Sequence, residues 1–491
     1  MNQGDYASSV PVDSGESKSS QPSLMNIKSI QTSSAMSVES EVLEPISFSQ
    51  SECIFEIPPK GFLHAGSCLS IGFKNKAALD NAFPYTNIGI HSLVRRAVLR
   101  TSKGGRVICD TEDWNYLQGC KSMFITNSHN KEREQYLSGR QTDFELFYDD
   151  SDSTLASGYG QGNNLEFDYQ GAGAHSNKGK NVEEHLRHSS GSEYQIKLHE
   201  LFPYMKEGNQ IPCFLLENDR IQVQIFWDTE AGRLALDKTD ADAGKQTQTL
   251  EIDQTRTKLI SDHIFYDGET MADFAEKAKS GLTFEYIDYR LSKQSLSNHS
   301  ASGGDFDASF DTKKNVRNIG GNGMVVNKVY FAYEDPNQDA RSLLGKYGAV
   351  AVGDNQTLTS NMFVNNQFLY PQDIKNPARQ FHNLKEVGNM IPFITREAYS
   401  GEGVGGLVDT AAGYIEGHSA KSQFAGRFFW NGFLLKGLNQ RVDNRGLELH
   451  TDAEQMPDLK TSTIKSYTQR AWLEIRRYVV IKDGHLDCYF M

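Results

Sequence analysis

The sequence predicts an all-β chain of two consecutive sandwich units, with short helices and long loop insertions. Three observations lead there. Runs in which apolar and polar residues alternate recur from Cys53 to the end of the chain, the period of a half-buried strand. Aromatic residues make up 11% of the 491, with 27 Phe and 21 Tyr against 13 Pro, a composition that suits pleated surfaces. Two stretches of this texture, separated by a polar one, are similar in length and punctuation. Each carries an Ile-Pro segment near its middle, Ile211-Pro212-Cys213-Phe214 and Ile391-Pro392-Phe393, which hints at a duplicated module.

Residues 1–50 contain 14 Ser and no sustained period, so they cannot bury enough apolar surface to offset their ordering entropy. They are expected to form a flexible arm, with Leu24, Met25, Ile27 and Ile30 as a small apolar cluster inside it. The first unit is placed at 51–290. Cys53, Phe55 and Ile57, then Leu69, Ile71 and Phe73, alternate with polar or small neighbours as strands do. His91 to Thr101 reads as a strand with Leu93, Ala97 and Leu99 on one side. A short helix should follow, capped by Asp110, with Trp114 and Leu117 on one face and Gly119 as its stop. Thr126 to Ser192, 67 residues rich in Asn, Ser, Gly, Asp and His, is expected to be an insertion between strands, an outward tower or mobile loop. Strand texture resumes at Tyr194, Ile196 and Leu198. After a loop from Pro203 to Gln210 come the apolar run Ile211 to Leu216 and the cleanest one-face strand, Ile221, Val223 and Ile225.

The stretch from Leu259 to Arg290 changes period twice. An apolar run ends at Asp267-Gly268-Glu269. Met271, Phe274, Ala275 and Ala278 then share one face of a short helix, with Phe274 as its expected anchor and Gly281 as its stop. Leu282, Phe284 and Tyr286 return to the period of a strand. The polar stretch Leu291 to Gly323 marks the expected boundary, and the second unit is placed at 291–491. It opens on Val325, Val329, Phe331 and Tyr333, passes through Phe363 to Phe368 and Arg427 to Trp430, and closes with Leu473, Ile475, Val479 and Ile481 sharing a face before His485 to Phe490.

No catalytic, cofactor-binding or metal-ligating residue is predicted. A formal charge of -13 leaves no Lys/Arg footprint for coating nucleic acid, so no specific nucleic-acid partner is expected. The six cysteines include no CxxC pair and read as reduced, mostly buried thiols. No secretion leader and no membrane span is recognisable, so the sequons at Asn298 and Asn355 read as chance matches in loops of a protein made in the cytosol. Gly401-Glu402-Gly403-Val404-Gly405-Gly406 spells G-x-G-x-x-G, but no strand feeds directly into it and mostly strand-like sequence follows, so it reads as a surface loop and not as a phosphate cradle. Glu183-Glu184-His185-Leu186-Arg187-His188 offers imidazoles and carboxylates without a rigid scaffold, which favours a solvated loop over a metal site. Trp114 and Trp430 are expected in the core.

The order of strand, acidic turn, short helix and strand in Leu259 to Arg290 resembles the join between the barrels of double jelly-roll major capsid proteins, which build the shells of large nucleocytoplasmic DNA viruses, virophages and polinton-like viruses. Further segments are similar in the expected order. They are Ser92 to Val98 followed by Asp113-Trp114-Asn115, Ile211 to Trp227, Phe363 to Phe368 with Pro377-Ala378-Arg379-Gln380-Phe381 behind it, and Tyr478 to Ile481 with Gly484 and Leu486 to Phe490. The strand at Phe363 lacks the Asn-Gly and Arg-Phe of that family, so its turn is expected to differ in shape. The resemblance implies two eight-stranded jelly rolls, no enzymatic activity, no cofactor, and self-assembly as pseudo-hexagonal homotrimers into an icosahedral virion shell. It also implies penton and minor capsid proteins as partners, contact with an inner membrane or host-surface glycans, and assembly in the host cytoplasm. Three rival readings stand beside it. One is a carbohydrate-binding spike or lectin, which would group aromatics on an exposed face. Another is a cupin-like enzyme, which would gather His and a carboxylate on neighbouring strands. The last is a minor capsid or scaffolding relative of the same fold.

Overall fold

The computed structural model describes residues 36–75, 83–84, 88–121, 137–138, 193–206, 209–216, 218–228, 235–236, 247–248, 250–297, 315–334, 359–374, 377–388, 431–435, 441–452 and 466–491. The first half contributes β1 (Ser37–Leu43), β2 (Glu52–Glu56), β3 (Cys68–Asn75), β4 (Val94–Thr101), β5 (Val107–Glu112), the helix α1 (Trp114–Lys121), β6 (Glu193–Lys197), β7 (Ile221–Trp227) and β8 (Leu250–Phe265). After the linking helix α2 (Gly268–Ser280) come β9 (Leu282–Ser297), β10 (Asn315–Gly320), β11 (Val326–Glu334), β12 (Thr359–Val364), β13 (Gln367–Phe368), α3 (Pro377–Gly388), β14 (Asn431–Leu434), β15 (Leu447–Asp452), β16 (Ser466–Lys482) and β17 (His485–Phe490).

Pairing sorts these strands into two sandwiches. In the first, one sheet has the order β1-β8-β3-β6 and the other β2-β7-β4-β5. In the second, the orders are β9-β16-β11-β14 and β10-β15-β12-β13. Every pairing is antiparallel, and the second set repeats the first strand for strand. The fourfold alternation of burial comes from the sequence. In β7, Ile221, Val223, Ile225 and Trp227 are buried, while Gln224 is tolerated inside because its amide donates to Glu52 at 2.9 Å. The resulting core is continuous across both sandwiches.

Local chemistry sets the turns. Asn365 and Asn366 lie at φ 49° and 66°, so the β12–β13 hairpin has the two-residue left-handed form usually given to Asn-Gly. The expected departure from Asn-Gly thus changes the residues and keeps the turn. Asp483 and Gly484, at φ 51° and 78°, close β16 onto β17 in the same way. In α2 the Asp267 carboxylate accepts from the Thr270 amide at 2.8 Å, and Gly281 at φ 104° ends the helix where expected.

Several expectations need correction. The arm placed at 1–50 is too long, because β1 and the two-residue strand Ser47–Phe48 fall inside it. β1 registers residue for residue on β8, from Ser37↔Phe265 to Leu43↔Leu259, and is the edge strand of its sheet. Its outward side is polar or exposed, which is why composition hid it. The break placed at 290/291 falls within β9, which runs unbroken to Ser297 and pairs wholly with β16. The polar stretch behind it also holds β10. The first short helix starts at Trp114 and not after Asp110, which lies within β5 opposite Val98, and Gly119 lies inside the helix. The strand expected from His91 begins at Val94 after a turn of 3-10 helix, the segment after Lys197 is helical at Leu198–Leu201 and Pro203–Lys206, and only Ile211–Pro212 of the run to Leu216 is strand. All six cysteines are free. The expected arm up to residue 35, the insertion 126–192 apart from Leu137 and Ser138, Ile391 to Phe393, and Trp430 lie outside the described residues.

Candidate functional site at the seam between the sandwiches

The most strongly built polar site joins the two sandwiches. Its first side is β5 and the start of α1. Its second is the edge strand β9 with its neighbour β16, which run sixteen residues in unbroken register. Tyr286 and Arg477 stand opposite each other in that pair, and both reach across to the Ile108 carbonyl, the Tyr286 hydroxyl donating at 2.6 Å and the guanidinium at 2.9 Å. Arg477 also donates to the Val107 carbonyl at 3.0 Å and to Asp288 at 2.7 Å. The Trp472 indole donates to the Glu112 carbonyl at 3.2 Å. Edge-strand backbone that would otherwise be unpaired is thereby satisfied by side chains from the other sandwich.

A second ion cluster lies beside it. Asp113 takes a left-handed conformation, φ 46°, between β5 and α1, and this turns its carboxylate toward Arg470 at 2.8 Å and Lys293 at 3.0 Å. The Arg470 guanidinium lies 3.8 Å from the centre of the Tyr116 ring, and the Lys121 ammonium 4.1 Å from that of Tyr289. The surface pair Arg106–Asp487, at 3.0 Å, crosses the same seam but is well exposed and contributes little. Between these contacts is a cleft of about 540 Å³, lined among others by Asp110, Glu112, Arg290 and Phe490.

The two carboxylates are displaced in opposite directions. Burial pushes Asp288 up to about 6, although Arg477 opposes the rise. Burial also acts on Asp113, but Arg470 and Lys293 outweigh it and hold the carboxyl below 3.8. A carboxyl held down in the folded state contributes stability that is present above its unfolded value and disappears as pH falls through the folded one. Asp113→Asn is therefore expected to lower the melting temperature at neutral pH, with the gap to the unaltered protein closing below pH 3.8. A gap that stays constant over that range would mean that Asp113 acts through shape and not charge.

The motifs weighed as ligand sites are not found here. Gly401 to Gly406 and Glu183 to His188 lie outside the described residues, as do Asn298 and Asn355. Among the described residues no group of three or more His, Cys, Asp and Glu is arranged to hold a metal ion, and no helix is long and apolar enough to cross a membrane. Trp114 is buried against His91, with ring centres 5.3 Å apart.

The architecture has counterparts among solved structures. PBCV-1 VP54, as fitted into a cryo-EM reconstruction of the virophage Sputnik, is similar over 94% of this chain and 98% of its own, with a TM-score of 0.54 and 11% identity. A chain of the quasi-atomic model of the PBCV-1 virus capsid gives the same values. The chain folds as a double jelly roll. A chain of the cryo-EM structure of the Sputnik virophage covers 92% of this double jelly roll and 88% of itself, with a TM-score of 0.50 and 10% identity. At these identities the likeness is one of fold. No family model matches the chain, and no curated protein matches it.

Sequence reasoning missed the seam of the double jelly roll entirely. Its signal was present in the charged residues within the most apolar strands, Asp288 in Tyr286-Ile287-Asp288-Tyr289 and Arg470, Glu474 and Arg477 in β16. Charges in a buried sheet need partners: Asp288 and Glu474 find theirs within the second jelly roll, in Arg477 and Tyr289, while Arg470 and Arg477 also reach across to Asp113 and to the Val107 and Ile108 carbonyls of the first.

Proposed function

We propose that this chain is a major capsid protein of a double-stranded DNA virus, a shell-building protein and not an enzyme, which assembles as pseudo-hexagonal homotrimers in the virion. The observation that carries the reading is the same eight-strand order written twice in one chain, in a double jelly roll similar over nearly its whole length to a chain of the PBCV-1 virus capsid model. Two like units in one chain form one third of a six-sided block, and three chains close it by cyclic symmetry. On this reading the first jelly roll runs to the end of α2, the second begins at Leu282, and the residues before Met36 and the 126–192 insertion carry contacts beyond the block. Penton and minor capsid proteins, and an inner membrane or surface glycans, remain the partners this role calls for.

The expected mass in solution is three times the 55.0 kDa chain, by light scattering at micromolar concentration. Electron micrographs of the purified protein should contain hexagonal plates or closed shells. A stable monomer that never forms plates would overturn the reading.

A further inference from the structure

Away from the seam, the corner where β1 joins the first jelly roll holds a buried histidine with one unused ring nitrogen. His263 of β8 is 0% exposed and stands opposite Glu39 of β1 on one side and Leu63 on the other. The chain between β2 and Phe62 passes over it as a strap. Gly61 in that strap has φ 49°, and a Cβ there would lie 2.7 Å from the Ile264 carbonyl oxygen, so the strap sits this close only with glycine. The Lys60 carbonyl oxygen is thereby held 2.8 Å from Nδ1 of His263. A carbonyl only accepts, so Nδ1 carries the proton of the neutral ring and Nε2 presents its lone pair. Nε2 is buried and has no hydrogen-bond partner among the described residues.

The other end of the same lysine holds β1. Its ammonium lies 3.3 Å from Glu39 and 2.9 Å from Glu41. Burial adds little to that hold, because Ser37 to Ser40 and Val42 are exposed and only Glu41 and Leu43 are half-buried. What remains is the ladder to β8 and the Ser40 hydroxyl, which donates to Asp262 at 2.6 Å. A segment with so few buried contacts opens locally at a lower cost than the whole domain. Beyond Leu43 the chain is anchored again where Ser47–Phe48 pairs with β2, so β1 can part from β8 while that pairing stays in place.

We propose that His263 is an acid-operated pin for β1: a proton taken up by its ring releases the strand from β8 while the jelly roll behind it stays folded. A proton on Nε2 puts a donor where no acceptor stands and a second cation beside the Lys60 ammonium. The charged groups that face the ring are Lys60 from the strap and Glu39 and Glu41 from β1, and both carboxylates are already engaged by Lys60. Burial, with the Lys60 ammonium, keeps the folded ring below its ordinary value of 6.5, against the Lys60 carbonyl and the two carboxylates. Once β1 has parted the ring meets water and takes its proton at the ordinary value. The hold on β1 is therefore complete above 6.5 and weakens as pH falls from there to the folded value. This device belongs to the first jelly roll alone and does not depend on the shell reading.

Hydrogen exchange on the full chain tests it, with rates corrected for the intrinsic pH dependence of amide exchange. Between about pH 7.5 and about pH 5.5 the opening constant of the amides from Ser37 to Leu43 should rise by up to about tenfold. The amides of β7, in the opposite sheet, should keep their protection over the same range. His263→Gln retains an amide that can donate to the Lys60 carbonyl and cannot take up a proton, so its β1 should exchange with no such pH dependence. Should that variant fail to fold, the imidazole resonance of His263 in the unaltered protein serves in its place, and it should report protonation only below 6.5, in step with the exchange of β1. Protection of β1 that does not change with pH, a loss shared equally by β7, the same loss in His263→Gln, or a ring that titrates at 6.5 in the folded protein would each overturn the pin.

Discussion

Phe274→Ala should cost about 3–5 kcal/mol of stability, the usual range for removing a fully buried phenyl ring. Phe274 is 2% exposed and is one of only two buried residues on α2, the other being Ala278. Its ring meets Phe62 edge-on at 5.1 Å, and Phe62 in turn meets Phe214 at 5.2 Å and Tyr266 at 5.3 Å. Edge-to-face pairs add about 0.5–1.5 kcal/mol each beyond area burial, so truncation loses both the ring's own burial and one pair. The helix has little else to hold it, since Met271 and Ala275 are only partly buried. Denaturant melts of Phe274→Ala and Phe274→Leu make the comparison, with the leucine variant expected to recover more than half the loss. An unchanged melt for the alanine variant would show that α2 is an ornament on the surface.

Arg477→Met should be of similar size, about 3–5 kcal/mol, because it strands Asp288 in the interior without its cation. The loss has a pH signature. A carboxyl raised in the folded state contributes stability that is complete below its unfolded value and declines as pH rises through the folded value. For Asp288 that window runs from 3.8 to about 6. Without Arg477 the decline steepens, so the deficit of Arg477→Met should be large at neutral pH and shrink on acidification. Combining it with Asp288→Leu should return much of the loss, since a buried pair exchanged for apolar groups is often neutral. What does not return measures the hydrogen bonds to Ile108 and Val107. A deficit independent of pH would put the whole effect on those carbonyls.

The parts of the fold legible in the sequence were those in which one strand face is uniformly apolar. β7 is the clearest case, with Ile221, Val223 and Ile225 all buried, and the α2 link was readable because its cap, its apolar face and its glycine stop agree. β1 was not legible. Its sequence, Ser-Val-Glu-Ser-Glu-Val-Leu, has the composition of the polar arm before it, and its two valines point outward, so only its backbone pairing with β8 identifies it as a strand. The unit boundary was misplaced for a related reason. β9 grows polar after Arg290, yet stays a strand because β16 supplies its hydrogen bonds as far as Ser297. Asp113 and Asp288 could be seen as residues but not as a site, since their partners lie hundreds of positions away in the chain.

The register of β9 on β16 also sets the order of events while the chain is being made. Leu282 must wait for Ile481, and Ser297 for Ser466, so the sixteen-residue strand β9 has no partner until β16 has left the ribosome. The first jelly roll is different: β8 follows all its partners, and its two sheets can close before β9 appears. Such long-range pairing is intrinsically slow. During that interval Leu282, Phe284, Tyr286 and Tyr289 form an unpaired strand next to an already folded domain, and truncated or stalled chains ending before Ser466 would carry it permanently. Premature termination in this protein thus yields a species prone to aggregate, with one finished jelly roll attached to an open edge.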